Sequence, residues 1–203
     1  TVTLYVDGAA AGTTAVSGAT VDGSAIAMTL GGDAAGARTL DGKLGEARVS
    51  DRAWSASEVR FAYQNLANPG ATVTAGAATG GSWFSQGAWT VRRPITVDHT
   101  LVAADLTDYP LLVQVTDSSL VGAAQADGDD LVFVAADSTT RLDYDIESWN
   151  AATGTLTAWV RIPSLSATTD TELYLYSGNA GAANQEDPVA VWGAESDLVL
   201  TGG

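Results

Sequence analysis

Hydrophobic and polar residues alternate over much of the chain. In T-V-T-L-Y-V, Val2, Leu4 and Val6 share one face of an extended segment, and Asp7-Gly8 supplies the positive-φ pair that a tight hairpin turn requires. A second strand is expected directly after it. Residues 24–30 (S-A-I-A-M-T-L) and 44–50 (L-G-E-A-R-V-S) read as further short strands, separated by a loop rich in glycine and aspartate. Residues 56–66 carry a different period. Val59, Ala62, Tyr63 and Leu66 recur at three- and four-residue spacing, Ser55 and Glu58 form a capping box, and Asn68-Pro69-Gly70 supplies the stop. The spacing predicts one short helix there, with those four residues as its apolar face.

Residues 70–88 are mostly glycine, alanine, serine and threonine with little periodicity, the composition of a linker. Beyond it, strands are expected at 90–97, 110–116, 131–135, 141–149, 155–162 and 172–177, each bounded by turn residues. Short strands without a long helix define an all-β chain, a β-sandwich or jelly roll. The expected organisation is a first unit at 1–69, a linker at 70–88, a β-sandwich domain at 89–192, and a tail or the start of a next unit at 193–203. Across N-A-A-T-G at 150–154, a hairpin in which Trp149 faces Thr155 pairs Glu147 with Thr157, Asp145 with Trp159 and Asp143 with Arg161. The other face carries Ile146, Tyr144 and Leu142 opposite Ala158, Val160 and Ile162. One face is then apolar and the other acidic and aromatic.

Charge sharpens the division. The 203 residues carry 24 acids against 8 Arg and one Lys, a net charge of −15. Residues 1–100 hold 8 of those acids and 7 of the bases, so nearly all the excess lies in the second half. Such a chain repels phosphate backbones and anionic headgroups, which argues against nucleic acid or membrane-surface partners. No run of apolar residues is long enough to span a bilayer, so no membrane insertion of this segment is expected. The chain opens at Thr1 without a basic and apolar leader, as expected of a processed chain or a piece of a longer one. With no cysteine and only His99, disulfides, thiolate sites and histidine clusters are ruled out.

Two resemblances cover most of the chain. L-Y-V-D-G, D-G-K-L-G-E-A-R-V-S-D-R-A-W-S-A-S-E-V-R and Y-Q-N-L-A-N-P, within residues 1–69, resemble the C-terminal part of a concanavalin A-like, laminin-G-type jelly roll, with Gly45 where that group carries an acid. W-T-V-R-R-P-I-T-V, L-T-D-Y-P-L-L-V-Q-V, D-G-D-D-L-V-F-V, L-D-Y-D-I-E-S-W-N and L-Y-L-Y-S-G-N, within 89–192, resemble a domain-of-unknown-function family. That family occurs in secreted bacterial and archaeal proteins and beside MotA/TolQ/ExbB-type proton-channel proteins. The resemblance implies an extracellular or cell-surface location and transfers no catalytic residues. A laminin-G-type jelly roll needs roughly 150 residues to close two sheets. The strands missing from residues 1–69 are therefore expected from a longer chain or a neighbouring subunit.

Three groups of residues carry candidate chemistry. Asp127, Asp129 and Asp130, with Asp137 nearby, present oxygen ligands at a spacing suited to Ca²⁺, although Leu131 and Ser138 break an EF-hand pattern; the alternative is a solvated turn. Asp33 and Asp41 form a weaker calcium candidate by the laminin-G resemblance. On the hairpin, Asp145, Glu147, Trp149 and Trp159 set carboxylates beside indoles, as sugar-binding surfaces do, unless a loop covers the indoles and the carboxylates serve the backbone. Carboxylates two apart on one strand cannot flank a glycosidic bond, so hydrolysis is not expected. Of Arg92 and Arg93, one is expected to pair with an acid of the second half, and His99 reads as a turn residue without a partner. The sum is a non-catalytic recognition or adhesion module for a glycan or cell-surface ligand. The alternative is a structural subunit of a surface layer, stalk or filament, self-assembled by β-strand complementation.

Overall fold

The computed structural model describes residues 1–15, 40–42, 47–48, 50, 52–81 and 88–192. The chain is all-β with a few short helices. β1 (Val2–Val6) and β2 (Ala9–Thr14) form an antiparallel hairpin. Asp7 and Gly8 both adopt positive φ, 51° and 73°, as the turn sequence requires. The strands expected at 24–30 and 44–50 lie largely outside the described residues, as do Asp33 and the tail at 193–203.

Helix α1 (Ala56–Ala67) begins where its capping box places it: Ser55 accepts from the Glu58 amide, and Glu58 accepts from the Ser55 amide. Arg52 pairs with Glu58 at 2.5 Å. Burial opposes ionisation of Glu58, but the Arg52 guanidinium and the Ser55 amide and hydroxyl outweigh it and hold the carboxyl below its usual range. The buried face of α1 differs from the expected one. Phe61, Asn65 and Glu58 are buried, whereas Tyr63 and Leu66 remain 43% and 42% exposed.

The reason is the surface against which the helix packs. Phe61 meets Tyr109 edge-on at 5.3 Å, and Asn65 reaches the backbone of Leu112, accepting from its N–H at 2.8 Å and donating to its C=O at 3.0 Å. An amide answers an unpaired strand edge; a leucine cannot. Asn65 Nδ2 also donates to the Thr72 hydroxyl at 2.8 Å, tying α1 to the short helix α2 (Pro69–Thr72).

The interval 70–88, linker-like in composition, contributes strands. β3 (Val73–Ala75) and β4 (Thr79–Gly80) both pair with β5 (Val91–Val97), while residues 82–87 lie outside the described set. The glycine and threonine content that suggests a linker also suits short edge strands, which composition does not distinguish. Then follow β6 (Leu106–Thr116), β7 (Val132–Ala135), β8 (Tyr144–Asn150), β9 (Thr155–Leu165), β10 (Thr171–Ser177) and the one-turn α3 (Pro188–Trp192).

These strands make two sheets. One has five strands, ordered β3-β5-β10-β7 with β4 also on β5; the other has three, ordered β6-β9-β8. Their inner faces share one core, in which Ile95 and Val97, Val113 and Val115, Leu156 and Val160, and Leu173 and Leu175 are buried. Arg93, at the edge of that core, pairs with Asp117, donates to the Gly76 carbonyl and donates to Ser119 Oγ at 3.1 Å. The acidic half thus supplies its partner. Arg92 lies over the Tyr174 ring at 4.5 Å.

Each edge of the three-stranded sheet is met at particular positions. On β6, Asn65 pairs with Leu112. Along β8, Ile146 N–H donates to Glu186 Oε2 at 2.6 Å, and the Asp187 N–H donates to the Tyr144 carbonyl at 3.0 Å. Replacing Asn65 by Ala leaves the Leu112 N–H and C=O buried and unpaired, at a cost of about 2 to 5 kcal/mol. Leu66→Ala, on the exposed side of the same helix, should change stability by no more than about 0.5 kcal/mol. Urea unfolding of both variants measures the difference; equal midpoints would sink the edge-closing role.

Candidate functional site

The β8–β9 hairpin keeps the expected register at its open end, with Tyr144 opposite Val160, Asp145 opposite Trp159 and Ile146 opposite Ala158. It then departs from it. A bulge between Ile146 and Ser148 shifts the pairing, so Ser148 faces Thr157, Trp149 faces Leu156 rather than Thr155, and Asn150 faces Thr155. One extra residue reverses the alternation beyond it. Trp149 therefore packs against the inner core, away from Asp145 and Glu147.

On the outer face, Trp159 donates its indole N–H to Glu147 Oε2 at 3.0 Å, and Trp192 donates to Asp145 Oδ2 at 2.9 Å. The two indoles meet edge-on at 5.2 Å. Trp159 is only 7% exposed, because α3 lies across it and Leu112 and Val191 complete the cluster. Arg161 Nη1 anchors α3 through the Ala190 carbonyl at 2.7 Å. Arg48 completes the lid. Its guanidinium sits 4.4 Å from the Trp159 ring, 4.8 Å from Trp192 and 5.6 Å from Trp54. Of the four residues expected to form a sugar-binding face, three meet on one side of the sheet, and the carboxylates there serve as acceptors for indoles.

Asp127, Asp129 and Asp130 lie in the turn before β7 but have unlike surroundings. Asp130 is 1% exposed. Its Oδ1 accepts from the Gln125 N–H at 2.7 Å, its Oδ2 from the Gly178 and Asn179 N–H groups at 2.8 and 3.0 Å, and its carbonyl from the Trp89 indole at 2.9 Å. The carboxylate ties its own turn to the segment after β10, and the carbonyl adds the segment before β5. Asp127 accepts weakly from the Asp129 amide at 3.3 Å, and neither residue is buried. Trp149 lies over the turn, donating to the Gln125 carbonyl at 3.0 Å. Only glycine fits at 128, with φ at +86° and a Cβ position 3.1 Å from the Trp149 ring.

Asp137 closes the next turn. The Thr140 hydroxyl, the Thr140 amide and the Thr139 amide all donate to it, holding its carboxyl down at about 2. His99, read as partnerless, has a partner: its Nδ1 lies 2.6 Å from Asp170 Oδ1, and its N–H donates to the same oxygen. The His99 ring and backbone N–H hold Asp170 below its usual range, and the Thr100 hydroxyl and amide do the same for Asp98. Sequence separation of 71 residues hid this pair. Among the described residues, Asp98, His99 and Asp170 are the group whose ligand atoms gather within 4.8 Å, on the surface.

Sequence reasoning also missed a cleft between the β1–β2 turn and α1, lined by Tyr5, Asp7, Arg60, Tyr63 and Gln64. Its residues lie more than fifty positions apart, and a local pattern could have flagged only Arg60, Tyr63 and Gln64, which share a helical face.

Residues 1–60 match the family model described as the Concanavalin A-like lectin/glucanases superfamily, and residues 127–197 match a domain of unknown function (DUF2341). Each match speaks for its own part of the chain. No curated protein and no solved structure matches. With the sheets described above, these similarities define an all-β protein of jelly-roll or sandwich type, compatible with a binding module.

Asp130→Asn sets an amide N–H against a backbone N–H and should cost about 2 to 4 kcal/mol. The loss should be the same with and without millimolar Ca²⁺, because the cause is backbone bonding; a loss confined to calcium-containing buffer would overturn that role. For Asp137, the folded carboxyl binds its proton less tightly than the unfolded one. It therefore favours the folded state above the ordinary aspartate range, and that contribution fades as pH falls through that range toward about 2. A carbon-detected NMR titration should place the Asp137 midpoint near 2. Thr140→Val should move it upward, and an unmoved midpoint refutes the assignment.

Proposed function

We propose that the chain is a non-catalytic recognition module working outside the cell or at its surface, with a glycan or other surface group as ligand. The observation that supports this most is the state of its carboxylates. Asp145 and Glu147 each accept from an indole, and Asp130 is filled by backbone N–H groups, so these acids are engaged in structure rather than poised about a scissile bond. The similarity of residues 1–60 to the Concanavalin A-like lectin/glucanases superfamily agrees with binding. Calcium remains part of this reading only through Asp127 and Asp129, whose carboxylates face solvent. Among the described residues, no helix is long and apolar enough to cross a membrane.

A second reading, a structural subunit joined by β-strand complementation, draws on the hairpin. Val2, Leu4 and Val6 are 60%, 63% and 53% exposed on one face of β1.

Incubating the chain with immobilised glycans, with and without calcium, and assaying the same polysaccharides for new reducing ends tests these readings. Retention without hydrolysis is expected, with any calcium dependence removed by Asp129→Ala. Release of reducing ends would overturn the non-catalytic reading. Absence of retention, with mass growing with protein concentration, would favour the structural subunit.

A further inference from the structure

Positive charge is nearly absent from the second half of the chain. Residues 101–203 hold sixteen acids against two bases, Arg141 and Arg161, and Lys43 is the sequence's one lysine, a residue type among the commonest in ordinary globular domains. Those two arginines neutralise little. Arg161 meets Asp108 at 3.3 Å and gives its Nη1 to the Ala190 carbonyl, while Arg141 donates to Gln185, a neutral partner. The first half lends only Arg93, committed to Asp117, and His99, set against Asp170.

Most other acids are satisfied by neutral donors. Asp137 accepts from Thr139 and Thr140, Asp105 accepts from the Ala167 amide at 2.8 Å, and Asp145 and Glu147 accept from indoles. Each such bond leaves the full negative charge in place. Among the described residues, Asp143 and Glu172 are exposed and their carboxylates make no hydrogen bond or ion pair. Folding draws all these charges into a volume far smaller than the unfolded chain's, so their repulsion weighs most on the folded form. Dissolved ions relieve it: an exposed charge is felt over ~10 Å at 0.1 M salt but only ~3 Å at 1 M. Adaptation to heat would look different, because it enriches lysine and glutamate in ion-pair networks, and here 18 of the 24 acids are aspartate.

We infer that the acidic surface of residues 101–192 takes hydrated monovalent cations from concentrated salt as its counter-ions, and that the fold reaches full stability only in such a medium. These cations form a diffuse layer with no fixed site. The acids are dispersed, with Asp105 before β6, Asp127 and Asp137 in the turns on either side of β7, Asp143 before β8 and Glu172 on β10. More cations gather on the compact form than on the open chain, so added salt shifts the equilibrium toward folding. The inference goes beyond the recognition-module reading and stands or falls without it.

Melting the whole chain in NaCl from about 0.05 M to about 2 M tests this, alongside the double variant Asp143→Asn, Glu172→Lys, which lightens the negative charge at two exposed positions. The wild type should gain about 10 °C or more across that range. In dilute salt the variant should melt above the wild type, and its curve should rise less steeply; Glu172→Gln alone gives the same direction if the double variant fails to fold. Salting-out of apolar surface acts on both proteins alike, so parallel curves would overturn the electrostatic cause. A wild-type melting temperature that stays flat or falls with salt would overturn the inference outright. Full stabilisation by millimolar CaCl₂ in dilute NaCl would overturn it too, by assigning the effect to fixed calcium sites.

Discussion

A three-stranded sheet has two bare edges, and a buried bare edge is intolerable, because every unpaired backbone N–H and C=O left out of water loses its hydrogen bond. Here each edge of β6–β9–β8 is met where it is buried, at Leu112 on one side and at Tyr144 and Ile146 on the other, by side chains and short backbone contacts instead of further strands. On the β6 side the answer is Asn65, and it decides which face of α1 turns inward and where α2 and β3 enter the neighbouring sheet. On the β8 side it is Glu186 and the Asp187 amide, and these carry the chain into α3 and across Trp159. All three helices are tied to the sheet through these edge contacts.

The same logic explains what became of the acidic and aromatic residues on the outer face. An indole N–H brought under α3 must find an acceptor, and a carboxylate one pleat away is the strongest available. Asp145 and Glu147 are thereby bound to Trp192 and Trp159, and Arg48 supplies positive charge over both rings. The cluster is a packed joint between residues far apart in sequence. A sugar approaching this face would meet a guanidinium already seated where its ring would stack.

Much of the fold was legible because it rests on local rules. The Asp7-Gly8 turn, the capping box of Ser55 and Glu58, and the six strands from β5 to β10 stand at or near their expected positions. What the sequence hid depends on distant partners. A period of two assumes an unbroken ladder, so the bulge after Ile146 moved Trp149 to the other side. The helical apolar stripe ignored Asn65, whose burial has meaning only beside Leu112. Asp130 looked like its neighbours in D-G-D-D, and only its meeting with Gly178 and Asn179 separates a structural carboxylate from two solvent-facing ones. His99 found Asp170, and the cleft found its second wall, by the same long-range closure.

The bond between Asn65 and Leu112 also bears on modularity. The two family similarities leave residues 61–126 between them, and the helix stop at Asn68-Pro69-Gly70 invites a cut there, as though two beads hung on a string. Severed there, the downstream sandwich would carry a naked β6 edge, and a naked edge is a template for any extended chain, its own twin included. Residues upstream of the cut thus act as an intramolecular guard: a helix before it keeps a sheet after it from recruiting strangers.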